Sequence, residues 1–198
     1  MSLKDKKNNQ RLNDAIIEAQ RLHLEYAFYE RVNFRNRRVL LTEDIEEDSF
    51  TFIDAALTEL ETNNDDPITI VINSFGGSYY EALAIVGRIR KSNCEIITEG
   101  YGKMMSAAFL ILACGHKRKV NQFAWGMFHT ISMGQHHSPA HYVESEAKHL
   151  MTEVNQMCEI LAKFTKKPKR FWRGLAKKPD TYMSPDKLLQ LGVVDEIF

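Results

Sequence analysis

An α/β architecture with mainly parallel strand pairing is predicted by three features of the sequence. Residues 68–73, ITIVIN, form a continuous β-branched run, the pattern of a strand buried on both faces. Short runs of this kind alternate with segments whose apolar residues recur every three or four positions, as on helices. At 198 residues the chain has the length of one domain and can bury a substantial core.

Taken in order, residues 1–10 are polar and lysine-rich, and poor order is expected there. Leu12, Ile16, Ala19, Leu22, Tyr26 and Tyr29 then predict an amphipathic helix over about 11–30. Arg35 to Arg38 is a basic connector leading into a strand, RVLLT (38–42). Phe50, Ile53, Leu57 and Leu60 mark a second helix, closed by the polar turn ETNNDDP. The strand ITIVIN breaks at SFGGS, and a third helix runs through Tyr80, Leu83, Ala84, Val86 and Ile89. EIITEG (95–100) reads as a strand, and the apolar run after it suits a buried helix. KRKVNQ and GMFHT are two further short strands.

A long helix over about 142–165 carries Val143, Ala147, Leu150, Val154, Met157, Leu161 and Phe164 on one seam. That 4-3-4-3 spacing fits packing against a partner helix or a second subunit, and equally packing within one subunit. Near the end, Ser184-Pro185 supplies an N-cap and first helical position, Gly192 a terminator, and VVDEIF a last strand.

Lys plus Arg equals Asp plus Glu, 26 each, so nothing in the charge predicts a nucleic-acid footprint or attraction to a membrane surface. The cluster KKPKR (166–170) reads as a solvated face. No segment reaches the ~18 continuous apolar residues of a membrane helix. The opening MSLKDKKNNQ lacks the apolar core of a signal peptide, so a cytoplasmic protein is expected. Three scattered cysteines, Cys94, Cys114 and Cys158, suit a reducing compartment.

Three places could carry chemistry. The turn Asn73-Ser74-Phe75-Gly76-Gly77 follows a buried strand and precedes a helix; its paired glycines permit close approach of another chain or an oxyanion, or simply a tight turn. Ser106, in GYGKMMSAAFLILACG, is either a small residue inside a buried helix or a nucleophile at a helix entrance, with the Ala107 N–H beside it. His129, in GMFHT, has the side chain of a general base near neutral pH, and equally that of a core histidine satisfied by a carbonyl. His23, His116, His136, His137, His141 and His149 compete with it. HHSPAH contains a proline and has no nearby cysteine or carboxylate to complete a ligand set, so no metal site is expected. A histidine base also needs an orienting aspartate, and spacing alone selects none among so many acids.

Together these segments resemble the ClpP family, the proteolytic subunits of ATP-dependent Clp proteases, from about Arg38 to Phe198. VINSFGGS stands where that family has a strand and an N-S-P-G-G turn. GKMMSAAFLILACG stands at G-x-A-A-S-M-G/A, and Met127-Phe128-His129-Thr130 at M-I-H-Q. Asp180-Thr181-Tyr182-Met183-Ser184 and Leu191-Gly192-Val193-Val194-Asp195 match D-x-(aromatic)-(Leu/Met)-S and the closing G-L/V-V/I-D. Four motifs in the correct order make the signal. This chain departs by Phe75 for proline, Met105 for alanine, Ala107 for a common methionine, and Thr130-Ile131 for Gln-Pro.

The resemblance implies a triad of Ser106, His129 and Asp180, with backbone N–H groups of Gly76, Gly77 and Ala107 as oxyanion hole. It implies a serine endopeptidase that uses no cofactor and no metal of its own, any ATP being consumed by a Clp-type AAA+ partner. It implies a ClpP/crotonase-like superhelix of ββα units, residues 38–198, behind an N-terminal polar segment and helix, 1–37. The 142–165 helix would be a projecting handle joining stacked rings, usually heptameric, around a chamber that admits polypeptide substrates. The divergent N-terminus weakens the carry-over of ATPase docking and leaves a phage-type member, trimming capsid or scaffold protein, as an alternative. The rivals are a catalytically inactive ClpP-like structural subunit, a crotonase acting on acyl-CoA, and a membrane-associated Ser–Lys peptidase.

Overall fold

The computed structural model describes residues 10, 12–19, 21–22, 31–132 and 140–198. Residues 12–19 are helical (α1), with Leu12, Ile16 and Ile17 exposed; Tyr26 and Tyr29 of the expected helix lie outside the described residues. There follow β1 (Val32–Asn33), β2 (Arg38–Leu41), α2 (Ser49–Asn63), β3 (Ile68–Ser74), α3 (Tyr79–Lys91), β4 (Ile96–Met105) and α4 (Ala107–Ala113). The chain continues with β5 (Lys117–Val120), β6 (Trp125–Phe128), α5 (Ala140–Phe164), α6 (Lys169–Leu175), β7 (Thr181–Met183), α7 (Pro185–Leu191) and β8 (Glu196–Ile197).

The strands form one mixed sheet in the order β1-β2-β3-β4-β5-β8, and parallel pairs predominate. β3 sits in its interior because its apolar run has no polar face: Ile68, Ile70 and Ile72 are fully buried and Val71 nearly so. β4 is longer than the expected EIITEG and serves two partners along one edge. Its first half, Ile97–Gly100, pairs with β5, and its second half, Lys103–Met105, pairs with β6. The change of partner occurs at Gly102, whose φ of +55° is left-handed. The β3–β4 register shifts there too, Ile72 facing Gly100 but Ser74 facing Met104, a bulge that redirects the strand end.

The helices are set by caps as well as by apolar spacing. Ser78 Oγ accepts the Glu81 N–H at the start of α3 (3.3 Å), and Ser184 Oγ accepts the Lys187 N–H at the start of α7 (3.3 Å). α7 then stops at Gly192 with φ +73°, as its sequence predicts. α6 and β8 also depart from the sequence reading. The basic cluster around Lys169 opens α6, which buries Trp172 completely among Phe109, Phe128 and Phe171. VVDEIF pairs only at Glu196–Ile197; Val193 and Val194 are buried in the approach to the strand.

The seam of α5 divides. Its second half packs inside the chain, with Val154, Met157, Cys158 and Leu161 buried against the core that also holds α4. In its first half Val143 and Ala147 are exposed and Leu150 is half-buried, and Tyr142 and Met151 beside the seam are exposed as well.

Candidate active site

Strand order and register bring the three expected side chains together. β3, β4 and β6 are parallel, so the residues leaving their C-terminal ends emerge on one side. Met105 of β4 faces Met127 of β6, and the Ser106 N–H donates to the Met127 carbonyl at 2.9 Å. Ser106 is therefore held one residue from His129's own strand end. β7 runs antiparallel to β6 with Thr181 opposite Phe128, which sets Asp180 beside His129.

The side chains meet accordingly. Ser106 Oγ lies 2.6 Å from His129 Nε2, a short hydrogen bond. His129 Nδ1 lies 3.7 Å from Asp180 Oδ1, an ion-pair distance beyond hydrogen-bond length, and the Asp180 side chain is 53% exposed. Ser106 has φ +53° and ψ −119°, outside the regions a serine ordinarily adopts. It occupies the N-cap of α4 without using its hydroxyl to cap the helix, which leaves Oγ free for His129. Of the competing histidines, His116 is tied to the sheet by accepting the Ile96 N–H at Nδ1 (2.9 Å). His149 contacts the Tyr80 hydroxyl at 3.1 Å. His23, His136 and His137 lie outside the described residues.

The two glycines do different things. Gly76, at φ +97°, packs so tightly beneath the serine that an added Cβ would stand 2.5 Å from the Met105 carbonyl oxygen and 2.9 Å from the Ala107 nitrogen. Its amide donates to Ser74 Oγ at 3.0 Å. Gly77, at φ +144°, is exposed at the mouth of the site, and an added Cβ would meet the Ile45 carbonyl oxygen at 2.2 Å. Backbone bonds from Ile45 N–H to the Gly76 carbonyl (2.8 Å) and from Ser78 N–H to the Ile45 carbonyl (2.7 Å) hold this turn in place. The departures Phe75 and Met105 leave the arrangement open. Phe75 points into solvent, 65% exposed, with Lys103 Nζ 3.9 Å above its ring. Met105 is half-buried in β4.

Ser106 and His129 open onto a cavity of about 630 Å³. Its walls come from the start of α3, the apolar α4, the segment after His129, and one face of α5. Tyr79, Tyr80, His149 and Glu153 belong to it; sequence reading weighed only His149, as a rival base, and gave the others no role at the site. A signal existed for Glu153: it falls three residues after Leu150 and four before Met157, on the seam itself.

A family model described as Clp protease matches residues 21–198, nearly the whole chain and including every residue of this site. The chain belongs to the Clp protease family.

Proposed function

We propose that this chain is a serine endopeptidase acting through Ser106, His129 and Asp180. Membership of the Clp protease family supports serine peptidase activity in general. The observation that carries the residue assignment is the 2.6 Å contact between Ser106 Oγ and His129 Nε2, made by a serine in a constrained backbone conformation.

The chemistry follows from those positions. With the proton of His129 on Nδ1, toward Asp180, Nε2 accepts the Ser106 proton as Oγ attacks the peptide carbonyl. The imidazolium that results is stabilised by the Asp180 carboxylate. It returns its proton to the departing amine, leaving an acyl group on Ser106. Water, activated by the same Nε2, then attacks the acyl carbon, releases the carboxylic acid and restores the serine. The oxyanion formed in each half is met by backbone donors. Ala107 N–H has no partner within α4, because it opens the first turn. Gly77 N–H is the second donor. Since Gly76 already spends its amide on Ser74, its part is to leave room for the serine segment.

Assembly is part of the proposal. The exposed Tyr142, Val143 and Met151 of the first half of α5 support its use as a handle against another copy, in stacked rings enclosing the sites. A Clp-type ATPase would deliver unfolded polypeptide to them. Replacing Ser106 with alanine removes one oxygen, so Ser106→Ala is expected to assemble normally by light scattering and to hydrolyse peptides at background rate. His129→Ala is expected to lose nearly as much, because triad members act as a unit. Peptide hydrolysis by Ser106→Ala near the wild-type rate would overturn the assignment.

A further inference from the structure

Among the described residues, four polar or charged residues are buried, and three of them are satisfied. Arg37 donates to the carbonyls of Leu60, Asn64 and Asp66, Ser74 accepts from Gly76, and Thr98 donates to the Leu112 carbonyl. The fourth is Glu153, 8% exposed, and its Oε1 is buried without a hydrogen bond. His149 Nε2 stands 3.2 Å away, but the contact lacks hydrogen-bond geometry, and the His149 side chain is 65% exposed. Glutamate is almost never buried without a partner, because an unpaired carboxylate gives up its hydration for nothing. Glu153 lines the same cavity as Ser106 and His129.

The rest of that cavity has a matching character. Tyr79, Phe109, Leu110 and Phe128 provide aromatic and apolar wall between the serine and α5. Such a wall accepts the methylene stem of a long side chain, and tyrosine faces attract cations. Tyr80 stands nearby, its hydroxyl 3.1 Å from His149 Nε2, and the adjacent Glu153 raises its phenol above the ordinary range. Burial, and then the Glu153 charge, does the same to Tyr79.

We propose that Glu153 is the specificity determinant of this cavity, which receives the side chain preceding the scissile bond and selects lysine or arginine there. The inference rests on the peptidase reading and names its substrate class. A lysine or arginine head group supplies the hydrogen bond that Glu153 Oε1 lacks, displacing the exposed His149 from its side. A leucine in the same place leaves Oε1 buried without a hydrogen bond.

The test uses the full-length protein and two peptidyl-aminomethylcoumarins that differ only in lysine or leucine before the scissile bond. Hydrogen bonds to charged groups predict a lysine-over-leucine ratio of kcat/KM of about 10 to 100 in the wild type. In Glu153→Gln and Glu153→Met the ratio should fall at least about tenfold. Each ratio is taken on a single sample, so a smaller folded fraction cancels. Hydrolysis that depends on Ser106 but favours leucine, or a ratio that Glu153→Gln leaves unchanged, would overturn this inference and spare the peptidase reading. Absence of Ser106-dependent hydrolysis of both substrates would overturn the two together.

Discussion

Adding a single methyl group at Gly76 should damage both the fold and the catalytic geometry. The Cβ of Gly76→Ala would lie 2.5 Å from the Met105 carbonyl oxygen, 2.9 Å from the Ala107 nitrogen and 2.9 Å from Ser106 Cβ. Two of the three are backbone atoms, and all belong to the segment that presents the nucleophile, so no flexible side chain can yield. The backbone at φ +97° adds strain of about 1–3 kcal/mol for an L-residue. Forcing a methyl into packed backbone adds a further ~1–3 kcal/mol. Together they reach about 2–6 kcal/mol, a large part of the roughly 5–15 kcal/mol of a whole domain. Relief by shifting Ser106 would misplace its hydroxyl relative to His129 Nε2, and a displacement near 1 Å costs about 100-fold in rate. Gly87→Ala is the internal control. Gly87 is exposed within α3 and an added Cβ meets nothing within 4 Å, so alanine should stabilise by about 0.5–1 kcal/mol. Urea unfolding followed by tryptophan fluorescence provides the assay, since the fully buried Trp172 packs at a tilt against Phe128, next to His129. A Gly76→Ala midpoint within error of wild type, with kcat/KM retained, would refute the packing account of the serine segment.

Two other outcomes follow from buried titratable groups. Burial, and then the nearby Arg90, holds the His116 imidazole below its ordinary value of 6.5, while its Nδ1 accepts the Ile96 N–H. A folded value below the unfolded one means that His116 contributes stability fully above about pH 6.5, and that this is lost as pH falls through the folded value. Tm should therefore drop on acidification from that point, and His116→Asn, which keeps an acceptor but does not titrate, should flatten that part of the profile; an unchanged profile would contradict it. Burial pushes the Cys114 thiol up to about 12 and also raises Cys94 and Cys158. A disulfide reagent should thus label the native protein slowly at all three thiols and the denatured protein quickly; a fast-reacting native thiol would count against that burial.

Much of the frame was legible because local pattern and burial coincide. ITIVIN has only one way to be buried, and the spacing of Ile53, Leu57 and Leu60 matches the buried face of α2. The short elements were not legible. β7 is three residues long, too few to show a period, and α6 hides behind a lysine-rich start with Trp172 as its one buried residue. The β-branched Val193 and Val194 announced burial, which the fold delivers without strand pairing. At the site, local reading reached Ser106, His129 and the glycine turn but could not choose an acid. Asp180 is set beside His129 by the β6–β7 register, a tertiary fact that leaves no local trace. Resemblance supplied it instead. Glu153 escaped notice because a charge on an apolar seam reads as an interruption until the cavity that it faces is known.

The central claim is that Ser106 is an activated nucleophile, and intact-mass analysis after fluorophosphonate treatment tests it most directly. The account predicts one adduct per wild-type chain, absent from Ser106→Ala and strongly reduced in His129→Ala. No adduct on a wild-type sample shown by light scattering to be ring-assembled would contradict it.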